Sequence, residues 1–213
     1  MAMFEVIPNI TDLSIDAVRD KARIVAQHVS WVHLEISDQL LIPNVVGVDV
    51  GGLKDALKNM PLLSVEAHLL VVNPEKYLSL LVSAGVKRII VQLESNDPRQ
   101  ILARAKYEEV EVVMAIDAPT EIEEIEPFLE EVVGVHVLTS EVGGEHPPFL
   151  PETVEKIVKI HQSFPDLVIS AEGGIRKEEI RTLKEAGVTR IVTSKSVFAD
   201  IGSVGEAIRE LNG

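Results

Sequence analysis

A chain of 213 residues, 46% hydrophobic and 25% charged, has the size and composition of one folded domain, and that mixture excludes a disordered polymer. Its 34 acidic against 20 basic side chains leave a formal net charge of -14, a field that repels polyanions and argues against a nucleic-acid partner. No apolar run approaches the roughly eighteen residues that a membrane span requires, so no membrane partner is expected. The start of the chain lacks a signal peptide's basic region and cleavage site, and there is no cysteine; the expectation is a cytoplasmic protein. Solubility is the simplest role of the acidity. A small anionic ligand is still compatible with it, because helix-start N–H groups and a local Lys or Arg act at short range.

Residues 4–8 read as a short apolar strand, and residues 9–12 turn into a helix marked by Ile15, Val18, Ala22 and Val25 at helical spacing. The next strand carries Val32, His33, Leu34, Glu35 and Ile36. Alternate side chains of a strand share a face, so His33 and Glu35 point one way and the three aliphatic residues the other. Pro43 and Asn44 mark the loop that leaves its carboxyl end, and Leu53, Ala56 and Leu57 mark a short helix. Residues 64–70 form the third strand, with Glu66, His68 and Leu70 aligned. Asn73-Pro74 predicts a capped helix start and Gly85 its stop. A strand at 88–93 follows, and Asp97-Pro98 opens a fourth helix in the same way.

Strands are then expected at 110–116, 133–138, 167–171 and 190–193, alternating with helices at 119–130, 151–164, 177–186 and 203–211. The acidic run 121–130 reads as the exposed face of its helix. Eight apolar strands in strict alternation with amphipathic helices imply parallel pairing. Eight repeats favour an α/β fold of the (β/α)8 TIM barrel type, with residues 1–213 as a single domain, over an open doubly wound sheet.

Active sites of such barrels lie at the carboxyl ends of the strands, where His33, Glu35, His68 and Glu172 fall. Two histidines and two glutamates there suit one metal or one substrate. Strands one and eight separate strands two and seven, so Glu35 and Glu172 are expected to face one another across the cavity. Opposed carboxylates suit removal of a proton from one face of a small substrate and delivery to the other, the geometry of an epimerase. Gly173 and Gly174, just after a strand, let a phosphate approach backbone N–H groups. The other histidines, His28, His136, His146 and His161, have no comparable companions. His28 and His161 are assigned to helix ends and His146 to a proline-flanked surface.

Taken in order, Trp31, His33 and Glu35 with Leu41-Ile42-Pro43-Asn44, Ala67-His68-Leu69-Leu70 with Asn73-Pro74 and Tyr77, Ala84-Gly85, Glu94, Glu172-Gly173-Gly174-Ile175, and Ser194-Lys195-Ser196-Val197-Phe198 resemble the ribulose-phosphate 3-epimerase family over nearly the whole chain. The corresponding family patterns are Trp-x-His-x-Asp and a loop ending in Val-Pro-Asn, Val-His-Leu-Met before an Asn-Pro helix start, Asp-Gly-Gly-Ile, and Gly-Ser-Ala-Ile-Phe. In that family two aspartates are the acid and base and also bind a divalent metal with the two histidines. The resemblance therefore implies Glu35 and Glu172 as catalytic residues. It also implies one divalent ion, zinc, iron or manganese, held by His33, Glu35, His68 and Glu172.

The resemblance further implies a phosphate and substrate site made of Asn9, Gly143, Gly144, Gly173, Gly174, Ser194 and Lys195. Here Asn9 replaces a family serine, and the loop 140–146 stands roughly for Asn-Pro-Gly-Phe-Gly-Gly-Gln. Departures are both aspartates becoming glutamates, two acids added to the phosphate loop, a Lys195 cation gained after the eighth strand, and Gln92 in place of a common histidine. The implied activity is C3 epimerisation of a phosphorylated ketose, ribulose 5-phosphate to xylulose 5-phosphate, by metal-assisted proton transfer through an enediolate. Two alternatives stand beside it. The altered loop 141–149 suggests an epimerase of a different ketose phosphate, and the coincident changes suggest a noncatalytic barrel that binds a sugar phosphate or another protein. The expected partner is a small phosphorylated sugar, and the oligomeric state, homo-oligomer included, is open.

Overall fold

Alternation along each strand decides the layering. Val32, Leu34 and Ile36 are at most 1% exposed and join Val18, Ala22 and Leu53 in the core between sheet and helices, while His33 is buried with the polar groups inside the sheet. In the computed structural model, which describes residues 4–58, 63–143 and 147–213, the order is β1 (Glu5–Pro8), α1 (Ile15–Val25), β2 (Trp31–Ser37), α2 (Val50–Leu57), β3 (Ser64–Leu70), α3 (Leu78–Ala84), β4 (Arg88–Gln92), α4 (Pro98–Tyr107) and β5 (Glu111–Ile116). It continues with α5 (Ile122–Ile125), β6 (Gly134–Leu138), α6 (Thr153–Ser163), β7 (Val168–Glu172), α7 (Lys177–Ala186), β8 (Arg190–Thr193), α8 (Lys195–Phe198) and α9 (Val204–Asn212).

All eight strands form one parallel sheet in the order β1-β8-β7-β6-β5-β4-β3-β2. A parallel bridge between Asn9 and His33 closes it, with the Ile10 N–H donating to the His33 carbonyl at 3.0 Å. Followed once round, the register advances by about eight residues, the shear of a (β/α)8 barrel. The barrel is the fold expected, and closure removes the open sheet. Among the described residues no helix is long and apolar enough to cross a membrane.

Several local expectations change. Neither Asn73 nor Asp97 caps a helix with its side chain; Asn73 precedes a 3₁₀ turn, Pro74–Lys76, and Asp97 sits in the left-handed region at φ 43°. Proline at the first helical position is the part of that signal that holds, because its missing N–H has no intrahelical partner there. The helix expected at 119–130 is one turn, α5, followed by a 3₁₀ turn, Glu126–Phe128. Pro127 lacks the N–H that would carry it on. Helix α8 is an additional turn directly after β8.

Barrels of this type usually fill their interior with branched aliphatic layers. Here Ile90, Val113 and Ala115 form a small inner apolar cluster, and much of the rest is polar. The Arg88 Nη1 donates to Glu66 at 2.8 Å and its Nε to Glu111 at 3.0 Å, with the guanidinium 4.0 Å from the Trp31 ring centroid. Burial by itself would raise the Glu66 carboxyl, but His33 and Arg88 outweigh it and hold it below its usual range. This charged plug closes the amino end of the barrel beneath the histidines.

Candidate active site

Three imidazoles converge at the carboxyl end of the barrel interior. The rings of His33 on β2, His68 on β3 and His136 on β6 are fully buried, with centroids 5.8, 5.8 and 5.1 Å apart. Glu172, the last residue of β7, reaches into them. Its Oε2 lies 3.5 Å from His33 Nε2, 4.0 Å from His68 Nδ1 and 3.2 Å from His136 Nε2. Its Oε1 accepts a hydrogen bond from Asn9 Nδ2 at 3.0 Å. Glu35, the next inward residue of β2 after His33, has its backbone N–H fixed by Thr11 Oγ1 at 2.8 Å.

The outer nitrogen of each ring is anchored, which determines what the inner one offers. His33 Nδ1 lies 2.9 Å from Glu66 Oε1 and donates to it. Gln92 directs its amide nitrogen at Glu94 and Asp117, 2.6 and 2.9 Å away, so its oxygen must face His68 Nε2 at 2.8 Å and accept from it. His136 Nδ1 lies 2.9 Å from Ser170 Oγ, which itself donates to the Val135 carbonyl. Among the described residues, His33 Nε2 and His68 Nδ1 are buried nitrogens with no hydrogen-bond partner. Such atoms are rare in folded proteins. Ligand atoms of His33, His68 and Glu172 lie within 4.8 Å of one another, and two anchored imidazoles with a carboxylate fit a divalent cation. Glu35 and His136 lie outside that group of three.

Charge is strongly polarised here. Burial would lower His33, but the Glu172 and Glu66 carboxylates push it up to about 9. Burial, reinforced by the neighbouring His136 and His33, pushes His68 down to about 3. Burial would raise Glu172, yet His33 and His136 hold it far below the carboxylate range. Glu35 moves the other way: burial and then the charge of Glu172 push it up to about 7, against His33 and Asn9. The two carboxylates thus differ in their readiness to hold a proton.

Above them a cavity of about 760 Å³ is lined by Asn9, Glu35, His68 and Glu172, and by Gly143, Gly173, Gly174, Ser194 and Lys195. Nearly every residue singled out from the sequence therefore lines one space. His33 lies beneath it, and Gly144, with Glu145 and His146 of the same loop, falls outside the described residues. Gly173 and Gly174 have φ of 112° and 65°, and a Cβ on them would collide with Ser140 and with Phe149 respectively, so glycine is required there. Ser194 and Lys195 belong to the β8–α8 junction, with Lys195 exposed at the rim. Arg176, which the sequence did not flag, also lines the cavity.

His136 is the main correction. The sequence offered it no companions, yet the fold sets it beside His33, His68 and Glu172. The signal was present: in Gly134–Leu138 the buried Val135 and Val137 flank it as Val32 and Leu34 flank His33.

The family model for the ribulose-phosphate 3 epimerase family matches residues 5–198. The ribulose-phosphate 3-epimerase, cytoplasmic isoform, of Oryza sativa subsp. japonica is 30% identical over 196 residues, covering 88% of this chain and 85% of that protein. The ribulose-phosphate 3-epimerase of Schizosaccharomyces pombe is 26% identical over 185 residues, covering 84% and 80%. Among solved structures, 3-hexulose-6-phosphate synthase from Salmonella typhimurium superposes with a TM-score of 0.75 at 16% identity over 98% and 96% of the two chains, a likeness of fold. Since the family match runs from the first strand to the turn after the last, this chain belongs to the ribulose-phosphate 3-epimerase family.

Proposed function

We propose that the protein is an epimerase of a phosphorylated ketose, interconverting ribulose 5-phosphate and xylulose 5-phosphate at C3. The observation that carries this reading is the pair Glu35 and Glu172, brought from strands two and seven to one cavity beside two imidazole nitrogens without partners. In the forward direction the Glu172 carboxylate removes the C3 proton, and Glu35, whose burial favours its protonated form, delivers one to the opposite face. The proton then rests on Glu172 and Glu35 is the anion, so the same pair runs the reverse reaction with roles exchanged. Asn9 holds Glu172 in position through its Oε1. His33, His68 and Glu172 would hold a divalent ion of zinc, iron or manganese, which would supply positive charge to stabilise the enediolate. Backbone N–H groups of the Gly173-Gly174 turn and of Gly143, with Ser194 and Lys195, bind the phosphate.

The test is exchange of the C3 proton of ribulose 5-phosphate in deuterated water, followed by NMR together with conversion to xylulose 5-phosphate. Deuterium at C3 accompanied by conversion is expected. Neither exchange nor turnover with metal-loaded, folded protein across several ketose phosphates would sink the reading. A second reading, a longer ketose phosphate, is favoured by Glu141 lining the cavity, where it can accept from an extra hydroxyl; comparing kcat/KM for pentulose and hexulose phosphates decides between the two.

A further inference from the structure

We infer that His136 is a metal ligand, so that three histidines contribute to the centre in this protein. The inference rests on the metal-assisted reading above and goes beyond it in naming a ligand from β6.

Three observations carry it. First, the inner nitrogens of His33, His68 and His136 surround one atom, Glu172 Oε2, at 3.5, 4.0 and 3.2 Å. That oxygen marks the point on which the three imidazoles converge. Secondly, ring centroids 5.1 to 5.8 Å apart suit one ion, since tetrahedral binding with Zn–N of about 2.0–2.1 Å sets imidazole centres roughly 5 Å apart. Thirdly, all three rings carry the outer hydrogen bond that metal-binding histidines use to fix ring orientation, to Glu66, Gln92 and Ser170. His136 Nδ1 lies 2.9 Å from Ser170 Oγ, and its Nε2 is turned inward to the Glu172 carboxylate at 3.2 Å.

His136 lies outside the tightest group, formed by His33, His68 and Glu172. Ligation therefore needs Glu172 to draw back as the ion takes the convergence point.

The test loads the full chain with Co²⁺ alone, or with Zn²⁺ alone. It counts bound ions by elemental analysis, counts imidazoles by X-ray absorption at the metal edge, and measures affinity by chelator competition. One ion per chain with three imidazoles is expected. His136→Gln should retain two imidazoles and weaken binding by at least about tenfold. Two imidazoles in the unsubstituted protein would overturn the assignment whether or not His136→Gln folds. So would an unchanged count in that variant. Failure to bind any ion would overturn the metal-assisted reading itself, an outcome distinct from an ion bound by two histidines.

Discussion

At the amino end of the barrel interior, Arg88 donates to Glu66 and Glu111 and lies against Trp31. At the carboxyl end, His33, His68 and Glu172 meet with two imidazole nitrogens that have no hydrogen-bond partner. Both ends hold buried charge, but one is saturated and the other is not. Saturation makes the first a structural plug, because every charge in it already has its counter-charge. The open nitrogens of the second make a cluster able to hold a cation. Glu66 joins the two, giving Oε2 to Arg88 and Oε1 to His33, so the plug also sets the orientation of a ring at the site.

The largest effect that would sharpen this contrast is on turnover. Glu35→Gln and Glu172→Gln should each reduce net epimerisation by about 100- to 10,000-fold, measured as kcat, because inversion needs a proton carrier on both faces; a loss below tenfold in either would remove that residue from the chemistry. At the saturated end the loss should appear in stability instead. Arg88→Met leaves buried Glu66 with His33 as its one remaining charged partner and should cost about 3 kcal/mol in urea unfolding, whereas a cost near zero would break the distinction between the two ends.

Smaller effects test the rim and the outer support. Lys195→Ala should raise KM for the phosphorylated ketose about tenfold, roughly 1.4 kcal/mol, and leave weak binding of the unphosphorylated sugar unchanged; equal loss for both would place Lys195 outside a phosphate site. Asp117, which accepts from Gln92 behind His68, is pushed up from 3.8 to about 6 by burial and the adjacent Glu94. An acid with a raised folded-state pKa contributes stability below its unfolded value and loses it as pH rises through the folded one. Stability should therefore fall between about pH 4 and 6 in the natural protein relative to Asp117→Asn. After allowance for solvent screening the difference is about 1 kcal/mol, or about 2–4 °C in Tm, and parallel pH profiles would refute it.

The barrel and the inward faces of β2 and β3 were legible because they depend on local alternation, which any window of five or six residues displays. The helix starts at Asn73 and Asp97 were misread in detail because a cap depends on backbone angles, and Asp97 takes φ 43°, where its side chain makes no cap. The plug was hidden because Glu66 and Arg88 stand 22 residues apart and meet across adjacent strands. His136 failed for the same reason. Its partners Ser170 and Glu172 are 34 and 36 residues away, and only the β6–β7 register makes them neighbours. The glycine pair after β7, by contrast, is read from sequence directly, since residue type and backbone requirement coincide there.

The β1–β2 closure has a consequence for motion. Among the described residues the seam rests on one bridge, Asn9 to His33, the Ile10 amide that spans it, and the Glu35 amide held by Thr11 Oγ1. Both bridging residues also approach Glu172 from β7. Whatever fills the centre therefore acts as a clasp across the joint that the backbone itself secures least, and it raises the free energy of local opening there by its own binding free energy. Deuterium uptake at the Ile10 amide should slow sharply when the centre is loaded, while amides of the continuous β4–β5 ladder, whose exchange requires wider unfolding, should change least.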